Sequence, residues 1–313
     1  MSKSLRNQIG LTLVAFIWGI TFVVVKNNTD SIEPFCFNFI RFSLSALLVF
    51  SYILIVRKQG LIGLTYTAFR DGCCLGFCLF WGFASLTLGL VHTTASNAGF
   101  ITGMNVVMVP LFSAIIRKHK IDLVTVMGVS AAAIGLYFLT FKGSVSINKG
   151  DLLIFIGAVA FAFHVIFTET CSQRSSTGIL VMIQFCFVGA LSGICAYCME
   201  DMSVITDIDL IFSRDMLSVL TVVVFLSTCL ALLVQTRAQK TVAPTKVALI
   251  FCLEPVFAAM SGHFWAGESL GPSALIGCSF IFLGMIVVNS QEYLKSLVKD
   301  TTINARTKAS DQI

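Results

Sequence analysis

The sequence predicts an all-α integral membrane protein with ten transmembrane helices, arranged as two inverted five-helix repeats with both termini in the cytoplasm. Three observations lead to this fold class: the apolar composition, the side of the membrane on which basic residues fall, and an internal repeat. Of the 313 residues, 57% are hydrophobic and 12% are charged, whereas soluble domains carry about 25% charged residues. A soluble fold of this size cannot hide so much apolar surface, so lipid is the expected solvent.

Ten apolar segments approach the length of a membrane crossing, which needs roughly 20 residues. The boundary between the third and the fourth segment is the least distinct, because the turn around LGLVHTTAS is tight and almost uncharged. The ten predicted spans are 9–26, 34–56, 70–90, 93–116, 122–141, 151–168, 176–199, 216–236, 242–265 and 272–290.

The distribution of basic residues favours ten spans over nine. With ten spans and a cytoplasmic N-terminus, 15 of the 21 Lys and Arg residues fall on the cytoplasmic side, as the positive-inside rule requires. The acidic loop at 200–215 then falls on the opposite side. Fusing spans three and four would place the basic stretch RKHK (117–120) on the same side as that acidic loop.

The two halves of the chain repeat one pattern. GLTLVAFIWGITFVVVK at 10–26 corresponds to GDLLIFIGAVAFAFHVIF at 150–167, and TTASNAGFITGMNVVMVPLFSAI at 93–115 corresponds to TVAPTKVALIFCLEPVFAAM at 241–260. A Gly-rich span closes each half. Because each half has five spans, the second half enters the membrane from the opposite side. Inverted repeats of this kind are typical of transporters, whose substrate lies near the midplane between the halves.

With these features the chain resembles the EamA family of the drug/metabolite transporter superfamily over roughly 10–290. The resemblance is carried by Trp18-Gly19, Arg41, TTASNAGFITG with VPL, TVAPTKVALIFCLEPVFAA, and AGESL at 266–270. It implies EamA-like repeats at 9–141 and 150–290, followed by a cytoplasmic tail at 291–313. The second half carries Gly267-Glu268 before its last span, whereas the first half has RKHKID at the matching place.

The function that this resemblance implies is secondary transport of a small organic metabolite, an amino acid or a related compound, by alternating access. The expected location is the plasma (inner) membrane of a bacterium. A broad-specificity drug efflux carrier is the alternative, and a non-transporting membrane protein is less favoured. Substrate identity, direction, coupling ion and oligomeric state stay open.

Charged residues in span nine are the first candidates for substrate binding or gating, because a charge within the membrane is expected to face protein or a wet cavity. At about 100° per residue, Gln239, Lys246, Glu254 and Ser261 fall on one stripe of a helix. Lys246 either serves the site or extends its ammonium to the cytoplasmic interface. Glu254 either lines the cavity or gate, or pairs with a neighbouring helix.

Span four carries the counterpart stripe, with Asn97 and Asn105 in place of charges. These amides bind substrate or bond across to another helix. Pro110 and Pro255 occupy matching positions in the two copies, and each is predicted to remove a backbone hydrogen bond and act as a hinge.

Further candidates lie in the other spans. They are Trp18, which forms an aromatic wall or packs, Thr21, His164, which couples protons or has a structural role, and Gln184. Arg41 is expected either to extend outward to the interface or to balance Glu254 or a substrate carboxylate.

No enzymatic chemistry is predicted from the sequence. It has no P-loop, no H-E-x-x-H and no Ser/His constellation with motif spacing, so no catalytic residue, metal site or cofactor is expected. The expected partners are a small-molecule substrate, a coupling proton and the lipid bilayer. Nucleic acid is not an expected partner.

Overall fold

The structure, a computed structural model, describes residues 3–26, 32–55, 63–93, 95–140, 148–266, 271–288 and 290, and within these ranges all regular secondary structure is helical. The helices of the first half are α1 (Lys3–Lys26), α2 (Pro34–Ile55), α3 (Tyr66–Leu90), α4 (Ala95–Gly103), α5 (Asn105–Arg117) and α6 (Leu123–Thr140).

The second half begins with α7 (Lys149–Arg174) and α8 (Thr177–Met199). Two short helices follow in the acidic loop, α9 (Ser203–Thr206) and α10 (Ile208–Ile211). The next rod joins α11 (Arg214–Leu220), a π-helical segment (Thr221–Leu230) and α12 (Ala231–Ala238) without interruption. The chain continues through α13 (Pro244–Phe251), α14 (Glu254–Ala266) and α15 (Pro272–Val288).

The described helices make this a multi-pass membrane protein. Seven of them are long and apolar enough to cross a bilayer: Pro34–Ile55, Tyr66–Leu90, Ala98–Arg117, Lys149–Arg174, Thr177–Met199, Arg214–Ala238 and Pro244–Phe264. Two shorter apolar helices cover Leu123–Leu139 and Pro272–Val288. The third and fourth predicted spans are separate helices, since α3 ends at Leu90 and α4 begins at Ala95.

The halves pack against each other along most of their length, with α2 on α8, α3 on α7 and α8, and α1 on α12 and α14. Glycines permit the closest of these approaches. A Cβ atom on Gly157 would lie 3.0 Å from the carbonyl oxygen of Gly82, and one on Gly150 would lie 2.6 Å from that of Gly89. Because glycine has only a hydrogen atom as its side chain, the backbones of α3 and α7 can touch directly at these positions.

The last helix of each half uses the same device. A Cβ atom on Gly135 of α6 would lie 2.5 Å from the carbonyl oxygen of Gly277 in α15. About two helical turns away, Gly128 of α6 lies against Gly284 of α15 in the same manner. The Gly-rich character of both closing spans is therefore explained by their contact with each other.

Polar contacts tie the halves together at both ends of the bundle. The backbone N–H groups of Phe35 and Cys36 donate to the two carboxylate oxygens of Glu200, at 2.8 and 2.7 Å. Glu200 thus caps the start of α2, where the helix leaves N–H groups without helical partners. At the other end, the Asn7 amide donates to the hydroxyl of Thr241 at 2.7 Å.

Candidate functional site

The helix that carries Glu254 is broken next to it. Helix α13 ends at Phe251, and α14 begins at Glu254. The N–H of Leu253 donates to the carbonyl of Ile250 at 3.0 Å, which tightens the backbone at the break. Pro255 has no N–H to donate to the carbonyl of Phe251. The helix is therefore broken at the position where Pro255 predicts a missing hydrogen bond. Glu254 lies in the first turn of α14, where the helix dipole favours a negative charge.

Helix α1 crosses directly over this break. A Cβ atom on Gly19 would lie 2.8 Å from the carbonyl oxygen of Glu254 and 2.9 Å from the backbone nitrogen of Ala258. The adjacent Trp18 ring meets the Phe251 ring edge-on, with centroids 4.9 Å apart. The Trp18-Gly19 pair therefore fixes α1 against both sides of the break.

Trp18 also connects α1 to the π-helical segment. Its indole N–H donates to the carbonyl of Ser227 at 2.8 Å. Thr21, one turn further along α1, is buried and donates its hydroxyl to the carbonyl of Ile17 at 2.6 Å. Trp18 thus makes an interhelical bond, whereas the hydroxyl of Thr21 bonds within its own helix.

Arg41 of α2 also bonds to the π-helical segment. Its side chain is 7% exposed, its Nε donates to the Thr228 hydroxyl at 2.6 Å, and its Nη2 donates to the Ser227 hydroxyl at 3.4 Å. The guanidinium carbon lies 4.5 Å from the centre of the Phe83 ring, a cation–π contact. Within the described ranges no carboxylate pairs with Arg41.

Of the two sequence interpretations of Arg41, the outward extension to the interface is wrong, because the side chain is buried. The hydroxyls of Ser227 and Thr228 and the Phe83 ring hold the guanidinium inside the bundle instead. Sequence reasoning did not single out these two hydroxyls. The one signal for them in the sequence was Arg41 itself, because a buried arginine requires hydrogen-bond acceptors on a neighbouring helix.

His164 and Gln184, predicted separately, bond to each other. His164 Nε2 lies 2.9 Å from the amide oxygen of Gln184, and the two side chains are 2% and 0% exposed. The Gln184 amide nitrogen donates to the carbonyl of Leu180 at 3.2 Å. That bond fixes the amide orientation, so Nε2 is the donor towards Gln184. The pair joins α7 to α8 within the second half.

Lys246 is buried in α13 at 7% exposure. The chain turns before α13, so Gln239 belongs to the end of α12, where its amide nitrogen donates to the carbonyl of Val165 at 2.7 Å. The single helical stripe expected from Gln239 to Ser261 is therefore wrong, because the helix is interrupted at 239–243 and again at 252–253. Lys246 and Glu254 lie on separate helices.

The corresponding helix of the first half is also broken, but at another position. Helix α4 ends at Gly103 and α5 begins at Asn105, five residues before Pro110. The Asn105 oxygen is buried with no hydrogen-bond partner among the described residues. Pro110 is buried within α5, and the side chain of Asn97 lies outside the described residues.

At the position that matches Glu254, the first half carries an apolar residue. Val109 is fully buried and shares one apolar core with Val247 and Ala248 of α13 and Leu11 of α1. Each half thus contains one broken helix. The break in the second half carries a carboxylate, and the break in the first half carries a buried amide oxygen that has no hydrogen-bond partner in the described part of the chain.

Comparison with known proteins agrees with this architecture. Residues 7–141 and 148–290 each match the EamA-like transporter family. An uncharacterized transporter of Archaeoglobus fulgidus is 32% identical over 92% of this chain and 87% of its own length. The uncharacterized transporter YyaM of Bacillus subtilis is 26% identical over 92% and 94%, respectively.

A solved structure, titled only as the crystal structure of a protein, shares the fold with a TM-score of 0.75. It covers 91% of this chain and 97% of its own, at 19% sequence identity. The two matched repeats together span most of the chain, and the broken helices of the site lie one in each repeat. The chain therefore belongs to the EamA-like transporter family.

Proposed function

We propose that the protein is a secondary carrier that moves a small organic metabolite, an amino acid or a related compound, by alternating access. In this proposal ten helices cross the plasma membrane of a bacterium, and both termini are cytoplasmic. The observation that carries the proposal is the broken helix α13–α14, with Glu254 at the break and α1 packed across it. In transporters, interrupted helices near the membrane centre supply backbone groups and half-helix ends to substrates.

The apolar core around the break supports movement of one half against the other. Leu11 of α1 and Val109 of α5 share this core with Ala162 of α7 and Val247 of α13. Contacts of this kind are non-directional, so they can be exchanged as one repeat rocks against the other. The directional hydrogen bonds of Trp18 and Arg41 both end on the π-helical segment and attach α1 and α2 to it.

Glu254 is the residue that we place at the centre of this mechanism. A carboxylate at the start of α14 binds a substrate ammonium group or takes up a coupling proton, and both roles require its negative charge. His164 is already bonded to Gln184, so in this proposal it contributes to structure and not to proton coupling. Lys246 and Asn105 are the groups for a substrate carboxylate and amide.

Uptake and counterflow in proteoliposomes test the carrier function. The panel contains amino acids, nucleoside-like metabolites and cationic drugs, each with and without a proton gradient. We expect saturable exchange of one metabolite class, whereas exchange of the drugs alone would favour the efflux alternative. No exchange of any compound by correctly folded protein would contradict the carrier proposal.

The variant Glu254→Gln tests the role of the carboxylate. We expect at least a tenfold lower transport rate or a changed pH dependence, because the amide keeps the size of the side chain and loses its charge. Expression and thermal stability should stay near wild type. Normal transport per folded molecule would show that Glu254 has a structural role only. The matched control is Glu169→Gln, which changes a carboxylate near the end of α7 that is bonded to Arg117.

A further inference from the structure

Arg41 places a positive charge inside the bundle without a negative partner. It is the eighth residue of α2, about 10 Å from the start of that helix, and its side chain is buried. Near the helix ends, Arg70 pairs with Asp71. Arg117 likewise pairs with Glu169. No carboxylate of the described ranges pairs with Arg41, and a charge at such a depth of the membrane is costly unless it is compensated.

The guanidinium group of Arg41 also has unused hydrogen-bond donors. Of its five N–H groups, one on Nε donates to the Thr228 hydroxyl and one on Nη2 donates to the Ser227 hydroxyl, which leaves three. Nη1 has no partner among the described residues. It retains accessible surface, unlike Asn38 Oδ1, which is enclosed and without a partner. Nη1 and Nη2 form the planar fork that binds both oxygens of a carboxylate.

The aromatic rings around Arg41 are only partly buried, although their partners lie on other helices. The Phe83 ring of α3 lies 4.5 Å from the guanidinium carbon and 5.3 Å from the Phe161 ring of α7. Trp18 of α1 donates to the carbonyl of Ser227, whose hydroxyl accepts from Arg41. Phe83, Phe161 and Trp18 all retain accessible surface.

This accessible surface lies inside the bundle and not on its lipid side. Trp81 of α3 and Ile156 of α7 are 45% and 44% exposed and mark the lipid-facing sides of these helices. Around the helix axis, Phe83 lies about 160° from Trp81, and Phe161 lies about 140° from Ile156. Both rings therefore point away from lipid, and the space that they leave open lies next to Arg41.

We propose that this space binds the carboxylate end of the transported metabolite. Arg41 binds the carboxylate, and Phe83 and Phe161 contact the apolar body of the molecule. The inference rests on the proposed carrier function and narrows its substrate to organic monocarboxylates. One uncompensated positive charge matches one negative charge, so a monoanion fits and a doubly charged phosphate ester does not.

Arg41 complements Lys246 as a position for the substrate carboxylate. In the proposed topology α2 begins at the outer side of the membrane and α13 begins at the inner side. Arg41 then lies in the outer half, whereas Lys246, the third residue of α13, lies near the inner end. The carboxylate is bound by Arg41 when the pathway is open to the outside and by Lys246 when it is open to the inside.

Isothermal titration calorimetry of the purified full-length protein in detergent tests the proposal. The ligands are pairs of an acid and its amide, namely 4-methylpentanoate, 3-phenylpropionate and indole-3-acetate with their carboxamides. We expect at least one acid to bind about tenfold more tightly than its amide, the ratio that a hydrogen bond to a charged group gives. If no acid binds more tightly than its amide, the proposal is overturned. Tighter binding of phenyl phosphate than of 3-phenylpropionate would contradict the preference for a monoanion.

Two variants assign the preference for acids to Arg41. Arg41→Gln removes the charge, and we expect it to bind acid and amide equally. Asn38→Asp places a carboxylate one turn before Arg41, on the side to which a helical side chain leans, where it pairs with the guanidinium and excludes the ligand. It should lose the preference with an unchanged or higher melting temperature, so it remains informative if Arg41→Gln folds poorly.

Arg174→Gln is the matched control, because it removes an exposed positive charge at the end of α7 and should keep the preference for acids. An undiminished preference in folded Asn38→Asp or Arg41→Gln would place the carboxylate elsewhere and refute the proposal.

Transport in proteoliposomes separates this inference from the carrier proposal. Acid-selective binding without exchange of any compound would contradict the carrier function and support the anion site. Exchange of amides or cationic drugs, but of no carboxylate, would support a carrier and overturn the role of Arg41 in substrate binding.

Discussion

The contact between α1 and the break in α13–α14 leads to a quantitative prediction for Gly19→Ala. The added Cβ atom would lie 2.8 Å from the carbonyl oxygen of Glu254 and from Cβ of Phe257, whereas ordinary contacts begin at 3.4 Å. Helix α1 and the start of α14 must therefore separate by about 0.6 Å. Overpacking of this kind costs about 1–3 kcal/mol.

Gly99→Ala is the matched control. A Cβ atom on Gly99 would meet no described atom within 4 Å, so this substitution adds a methyl group without a clash. Both changes replace a helical glycine by alanine, which favours the helix by about 1 kcal/mol in each case. The difference between the two variants therefore isolates the contact with α14. We expect Gly19→Ala to be less stable than Gly99→Ala by about 1–3 kcal/mol.

Thermal unfolding in detergent, followed with a thiol-reactive dye, measures this difference. Cys36, Cys171, Cys229 and Cys252 are buried free thiols, so they report unfolding when they become accessible. Transport by the same preparations shows whether the break moves with α1, since a displaced Glu254 should lower the rate. An equal or higher melting temperature for Gly19→Ala than for Gly99→Ala would refute the close contact.

Two further predictions concern polar contacts between the halves. Arg41→Lys should lower the free energy of unfolding by about 1.5–3 kcal/mol, because an ammonium group cannot reproduce the guanidinium geometry towards Thr228. Chemical denaturation measures this free energy, and an unchanged value would contradict the prediction. Glu200→Gln should lower the free energy of unfolding by about 1–2 kcal/mol, because the two Glu200 oxygens accept from the N–H groups of Phe35 and Cys36 and an amide keeps only one of these oxygens. Hydrogen exchange at the start of α2 should become faster, and an unchanged exchange rate would count against the cap.

The sequence predicted the separation of α3 from α4 because the distribution of basic residues depends on the number of spans. One span too few would move every later loop to the opposite side of the membrane. It also placed Pro255 beside a backbone break, since the missing N–H is a local property. The break before Asn105 lies five residues from Pro110, so in that copy tertiary packing decided the position.

The partners of buried polar groups could not be predicted. Arg41 and Ser227 are separated by 186 residues along the chain. No local sequence pattern predicts which helices pack against each other. The same holds for His164 and Gln184, each recognised as polar within a span but not as partners. The π-helical segment that presents Thr228 and the Ser227 carbonyl has no local signal either, since Thr221–Leu230 reads as an ordinary apolar span.

The glycine contact between α6 and α15 makes the two halves comparable to two subunits. In the repeat, Gly128 corresponds to Gly277, and Gly135 corresponds to Gly284. Gly128 meets Gly284 and Gly135 meets Gly277, so each position contacts the counterpart of the other. This reciprocity defines an isologous interface, the kind found in twofold homodimers.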